Sequence, residues 1–331
     1  MKRSTKNLLL GAGAISSAVA AAGVVSYVLT KSLVEIALDR KEPDIMAASR
    51  QQLTHSPEMG DFLKLRIKAA AQLGRRPCET YELKAQDGTI LVGHWLACEG
   101  AKRIVVAMHG WRSSWTRDFG LVAGFLHENG CHVLFVEQRG QNNSGGDHMG
   151  FGLTERYDCR DWIDWVNEQK GGTLPIYLYG ISMGASTVLM TAGFPELKNV
   201  HGIIADCGYT SPHEIWKHVV NNNLHLTYNE WISKIADDIC REKIQFGSRD
   251  YSCLVALENN KIPVLFIHGT DDDFVPIEMT YENYKACTAP KRLLVVPGAG
   301  HGMSYATDRL RYEAALLDFW KEFDAKAPSA Q

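Results

Sequence analysis

Apolar and polar positions follow two alternating rhythms along this chain. Short apolar runs without a helical period stand at Arg103-Ile104-Val105-Val106-Ala107-Met108, His132-Val133-Leu134-Phe135-Val136, Ile176-Tyr177-Leu178-Tyr179 and Gly202-Ile203-Ile204-Ala205. Two more follow at Ile262-Pro263-Val264-Leu265-Phe266-Ile267 and Leu293-Leu294-Val295-Val296. Runs of this length, rich in β-branched and aromatic residues, predict strands buried on both faces. Up to about residue 205 they alternate with stretches of helical period. That order predicts an α/β fold, a mainly parallel twisted sheet flanked by helices on both faces. Residues 78–97 read as two earlier strands around the turn Gln86-Asp87-Gly88-Thr89, and the stretch Arg309–Phe323 as an amphipathic helix covering the sheet.

Two segments depart from the rhythm. Residues 211–260 carry Trp216, His225, Tyr228, Trp231 and Phe246 on expected helices, inserted between two strands. They predict a small helical cap, whose aromatic residues either line an acyl or alcohol pocket or pack the cap onto the body. At the other end, Lys2, Arg3 and Lys6 precede residues 8–29, which hold no charge. A helix of that length spans about 33 Å, enough for a bilayer core. Residues 1–30 are therefore expected to be a membrane anchor, with Ala18-Val19-Ala20 leaving a cleaved secretory signal as the alternative. Residues 31–77 read as a helical linker docking on the body through Phe62, Leu63, Leu65 and Ile67, with Ser56 capping a helix that has Pro57 in its first turn. The body covers 78–325 and a tail 326–331.

Composition adds limits. At 331 residues, 45% apolar and 22% charged, the chain buries a large core, and a net charge of −3 carries no nucleic-acid footprint. Three basic residues ahead of the apolar span suggest a body outside the cytoplasm. The eight cysteines include no Cys-x-x-Cys pair, which argues against zinc and thioredoxin-like sites. Their scatter over core elements reads as buried thiols, a pattern of reducing settings that pulls against that topology.

The chemistry lies at strand ends. Gly180-Ile181-Ser182-Met183-Gly184 joins an apolar run to the helical run starting at Ala185. This strand, tight turn and helix suit a strained serine whose neighbours two positions away must lack side chains. Three adjacent acids, Asp271, Asp272 and Asp273, follow a later strand, and His301 follows the last one, in Gly300-His301-Gly302. Serine, acid and histidine thus fall just past the carboxyl ends of strands, where chemistry collects in open α/β sheets.

Together with Met108-His109-Gly110-Trp111, Gln138-Arg139-Gly140 and His268-Gly269-Thr270-Asp271-Asp272-Asp273-Phe274-Val275-Pro276, these motifs make the chain resemble the α/β-hydrolase superfamily over roughly residues 78–325. Within it, the chain resembles bacterial serine hydrolases of esterase or acyl-transferase type. The resemblance implies Ser182 as nucleophile, His301 as base and Asp272 as its orienting acid, with Asp206 as the competing acid. Backbone N–H groups of Met183 and Trp111 would form the oxyanion hole. From their positions alone, His109 is expected to make loop hydrogen bonds, Glu137 and Arg139 to shape a loop, and His268 to be a structural histidine. The implied activity is hydrolysis of a small-molecule carboxylic ester, with no metal or organic cofactor. Thioester hydrolysis, acyl transfer and peptide cleavage remain open on the same triad, as does a catalytically silent, membrane-tethered binding protein.

Overall fold

The computed structural model describes residues 23–41 and 57–324. The apolar runs form eight strands: β1 (Glu79–Lys84), β2 (Ile90–Leu96), β3 (Arg103–Met108), β4 (Cys131–Glu137), β5 (Ile176–Ile181), β6 (Val200–Asp206), β7 (Val264–Gly269) and β8 (Lys291–Val296). They pair into one sheet in the order β1-β2-β4-β3-β5-β6-β7-β8. β2 runs antiparallel to β1 and β4, and every other pairing is parallel.

Burial on both faces explains the uninterrupted apolar runs. All six residues of β3 are buried. Ile104, Val106 and Met108 face one apolar cluster, and Val105 and Ala107 face the other, as the two-residue repeat of a strand requires. Helices supply the outer layers. They are α1 (residues 23–38), α2 (Pro57–Leu73), α3 (Trp115–Phe119), α4 (Ala123–Glu128), α5 (Glu155–Gln169) and α6 (Met183–Thr191). After β6 come α7 (Pro212–His218), α8 (Glu230–Ile244) and α9 (Cys253–Glu258), then α10 (Ile277–Ala286), α11 (Ser304–Thr307) and α12 (Arg309–Phe323). α5 puts Cys159, Trp162, Ile163 and Val166 into the first cluster, while α12 puts Tyr312, Leu316, Phe319 and Trp320 into the second.

Between β6 and β7, α7 runs into a π-helical turn at Val219–Asn223 before α8. Of the aromatic residues on this insertion, Trp216 and Tyr228 face an apolar cavity. Trp231 is half exposed, His225 is exposed, and Phe246 stacks near Tyr157 in another part of the molecule.

The apolar span at residues 8–29 lies outside the described residues up to residue 22. Its last residues open α1, which continues to residue 38 through Lys31 and Glu35. Among the described residues, no helix is long and apolar enough to cross a membrane. α2 begins at Pro57, and Ser56 lies outside the described residues. The expected docking face of α2 needs correction at Leu65 and Ile67, while Phe62 and Leu63 are half-buried. Leu65 is 48% exposed and Ile67 60%, whereas Ala69 and Leu73 are buried. Positions three and four apart share a helix face, so Arg66, Ala69 and Leu73 turn inward together and Leu65 and Ile67 cannot follow. Arg66 completes that face with an ion pair to Asp118. All eight cysteines are free thiols, seven of them buried.

Candidate active site

The site begins with a backbone that only glycine neighbours permit. Ser182 has φ 56° and ψ −119°, outside the regions a serine normally occupies. A Cβ on Gly180 would stand 2.1 Å from the Gly184 carbonyl oxygen, and one on Gly184 would stand 1.9 Å from the Met108 carbonyl oxygen. Any side chain at either position would force the turn open. The Ser182 N–H donates to the Asp206 carbonyl at 2.8 Å, which ties the turn to β6. Ser182 stands at the N-cap of α6, but its hydroxyl makes no capping bond. It lies instead 2.8 Å from His301 Nε2.

His301 arrives on the loop after β8. Its Nδ1 lies 2.7 Å from Asp272 Oδ2, on the loop after β7. An ionised carboxylate only accepts, so Nδ1 carries the proton and Nε2 is left to accept from the Ser182 hydroxyl. Asp272 is buried, and its other oxygen accepts from the N–H groups of Phe274 at 3.0 Å and Val275 at 2.8 Å. Burial alone would push this carboxyl up. Hydrogen bonds from His268 and His301, the charge of His301 and the Val275 N–H outweigh it and hold the group well below the usual carboxylate range.

His268 is a brace that its place in a loop motif only partly reveals. Its Nδ1 lies 2.6 Å from Thr280 Oγ1, and its Nε2 lies 2.9 Å from the Val275 carbonyl and 3.2 Å from Asp272 Oδ2. A carbonyl cannot donate, so Nε2 bears the hydrogen and shares it between two acceptors.

The other expected residues fall as follows. The Asp206 carboxylate accepts from Tyr312 Oη at 2.9 Å and Ser304 Oγ at 3.2 Å. It does not orient the base. Asp271 and Asp273 are exposed. His109 is fully buried, donates from Nδ1 to the Gly110 carbonyl at 2.8 Å and accepts the Gln138 N–H at Nε2. Glu137 accepts from His94 at 2.8 Å, while Arg139 turns to Asp87 at 2.7 Å and to Asp158. Cys207, Asp272 and His301 offer ligand atoms within 4.8 Å of one another, a spacing a soft cation would fit. Burial pushes the Cys207 thiol well up, however, and the other two groups bind each other.

A sequence profile of the prolyl oligopeptidase family matches residues 117–326. The chain belongs to that family. It is 24% identical to the protein YqkD of Bacillus subtilis (strain 168), over 95% of this chain and 97% of that one. It is 28% identical to the human protein ABHD12B, over 69% of this chain and 60% of that one. Among solved structures it is similar to the Pyrococcus furiosus esterase Pf2001, with a TM-score of 0.62 and 22% identity over 75% of this chain and 92% of that one. It is also similar to an acylaminoacyl peptidase of Pyrococcus horikoshii, with a TM-score of 0.58 and 17% identity over 77% of this chain and 43% of that one. The fold is that of the α/β-hydrolases, and the chain is an α/β-hydrolase enzyme.

Two residues of this hydrolase escape a reading of its motifs. Asp118, in α3, accepts the Gly110 N–H at 2.7 Å and the Ser113 hydroxyl at 2.6 Å. It thereby fixes the loop after β3 against the serine, where a Cβ on Gly110 would stand 3.4 Å from Ser182 Cβ. With Gly110 engaged, the N–H groups of Trp111 and Met183 have no acceptor among the described residues. Arg112, with φ 47°, sends its guanidinium to the carbonyls of Ile36 at 2.8 Å and Asp39 at 2.6 Å. Its place directly after the His-Gly-Trp motif was the available signal for a structural role. Asp118 lies eight residues past Gly110 and has no such marker.

Burial raises the Asp206 carboxyl to about 6 against the hydrogen bonds from Tyr312 and Ser304. An acid raised in the folded state holds its proton more tightly when folded, so its contribution to stability falls as pH rises from about 4 to about 6. Urea denaturation across that window should therefore show the wild type losing about 2 kcal/mol relative to Asp206→Asn. Parallel stability curves for the two proteins would contradict this assignment.

Proposed function

We propose that the chain hydrolyses carboxylic esters through Ser182, His301 and Asp272. One observation carries the reading. His301 bridges a strained serine hydroxyl at 2.8 Å and a buried carboxylate at 2.7 Å through opposite ring nitrogens. As Ser182 Oγ attacks the ester carbonyl carbon, His301 Nε2 takes its proton. Asp272 keeps the ring in that tautomer and stabilises the imidazolium that forms. Negative charge developing on the carbonyl oxygen meets the Met183 and Trp111 N–H groups, with the N-terminus of α6 adding its dipole. Collapse of the tetrahedral species expels the alcohol, which takes the proton from His301. Water, deprotonated by His301 in turn, attacks the acyl-enzyme and releases the acid, restoring Ser182.

Amide cleavage on the same triad is a second reading, favoured by the family profile. An ester and its matched anilide, assayed side by side, separate the two. Fluorophosphonate labelling and ester turnover should both vanish in Ser182→Ala, while Asp272→Asn should lower kcat by about 10³–10⁴. Labelling that survives in Ser182→Ala would refute the assignment.

Residues 8–29 are also read as a membrane anchor that holds the body on the side away from Lys2, Arg3 and Lys6. Support comes from α1, whose Val24, Val25, Val28 and Leu29 are exposed. The full-length chain should therefore stay with membranes in alkaline carbonate, and release into the supernatant would contradict the anchor.

A further inference from the structure

Several cavities occur among the described residues, and two of similar size differ in their lining. One, of about 320 Å³, is lined by charged groups such as Asp87, Arg139 and Asp158, none of which meets the serine or its partners. The other, of about 300 Å³, is lined almost wholly by hydrocarbon. Val34 and Ala37 of α1, Trp216 and Val219 of the insertion, and Trp111 and Phe274 all line it. The last two residues join the cavity to the chemistry. Phe274 packs edge-on against the His301 ring, with centroids 5.1 Å apart. Trp111 directly follows Gly110, which abuts Ser182.

The α1 wall is fixed to the same loop. The last carbonyls of a helix have no partners within it and must find donors elsewhere. Here the Trp111 indole N–H donates to the Ala37 carbonyl at 2.8 Å, and Arg112 takes those of Ile36 and Asp39. Met149 N–H donates to the Leu38 carbonyl at 2.6 Å, and Lys243 of α8 pairs with the Asp39 carboxylate at 2.8 Å. Thr30, Val34 and Leu38, four residues apart, make the buried face of α1. The helix is thus held by the loop beside the serine and by the insertion together.

We infer that α1 and the insertion together build the acyl-chain site, so that the segment next to the apolar N-terminus is a specificity-determining wall of the substrate pocket. This rests on the ester-hydrolase reading. A hydrocarbon lining accepts an unbranched alkyl chain and penalises charged or strongly polar groups by their lost hydration. At roughly 30 Å³ for a water-sized group, the cavity holds a chain of about ten carbons. The substrate class is accordingly an ester of a medium-chain fatty acid. Leu224, which also lines the cavity, is half exposed and marks where the cavity meets the surface.

The test is kcat/KM for p-nitrophenyl esters from acetate to dodecanoate on the full-length protein, with fluorophosphonate labelling of Ser182 reporting an intact site in each variant. Wild type should peak between hexanoate and decanoate. Leu33 and Val219 both line the cavity, so Leu33→Trp fills it from α1 and Val219→Trp from the insertion. A single misfitted methylene costs about 10–200-fold in an apolar pocket, so each variant should lower the decanoate-to-acetate ratio at least about tenfold. Ser32→Trp, on an exposed position of the same helix, should keep that ratio within about twofold. If Leu33→Trp no longer labels, Val219→Trp decides. Ester turnover with an unchanged ratio in the filled variants, or an equal loss in Ser32→Trp, overturns the acyl site. A wild type that neither labels nor turns over any ester overturns the hydrolase reading itself, and the inference with it.

Discussion

The site depends on one close approach. The N-terminus of α6 is pressed so tightly against the end of β3 that residue 184 can carry no side chain, since its Cβ would fall 1.9 Å from the Met108 carbonyl oxygen. That contact fixes where the helix starts, and hence where the turn before it must lie. The turn holds Ser182 at positive φ, with glycine two residues before and after it. The strain costs of order 1–3 kcal/mol and survives because the parallel sheet and two buried clusters determine the backbone on either side. The same approach puts the first N–H of α6 beside the loop after β3, so the nucleophile and its proposed oxyanion donors share one mechanical origin.

Two buried carboxylates at neighbouring strand ends show how local donors set chemical character. Asp206 receives two hydroxyls, and burial wins, raising its carboxyl to about 6. Asp272 receives two imidazoles and two backbone N–H groups, and these outweigh burial. Asp272 therefore stays an anion well below neutrality, as a group that stabilises an imidazolium must, whereas Asp206 takes up its proton as pH falls through about 6. His268 matters here because it is held in one tautomer by Thr280 and the Val275 carbonyl, which keeps its N–H aimed toward the acid.

What the residue pattern disclosed, and what it hid, follows from the range of each interaction. Apolar runs bounded by glycine and aspartate mark strands because burial on both faces leaves no polar alternation, and the eight-stranded sheet agrees with that reading. Ser182, Asp272 and His301 stood out because each closes a strand with a short, sterically demanding motif. Motif narrows the choice between Asp206 and Asp272, but spacing cannot decide it, because the outcome depends on hydroxyls from α11 and α12, about a hundred residues away. The inward face of α2 is hidden for a related reason. Apolar residues crowded into one and a half turns do not say which side a helix turns to its neighbour, and here Arg66, Ala69 and Leu73 decide it. The role of α1 was hidden most deeply, since its apolar residues suit a membrane as well as a pocket wall. Only the bonds from Trp111 and Arg112 to its last carbonyls reveal the connection to the serine.

Nucleophile, oxyanion site and acyl cavity form one geometry. A crystal structure of the full-length protein inactivated by an octyl fluorophosphonate would probe all three at once. Phosphorus should be bonded to Ser182 Oγ, with its free oxygen within hydrogen-bonding distance of the Met183 and Trp111 N–H groups and the octyl chain lying between α1 and the insertion. Phosphorus on another residue, or an oxygen turned away from both N–H groups with the chain in solvent, would contradict that geometry.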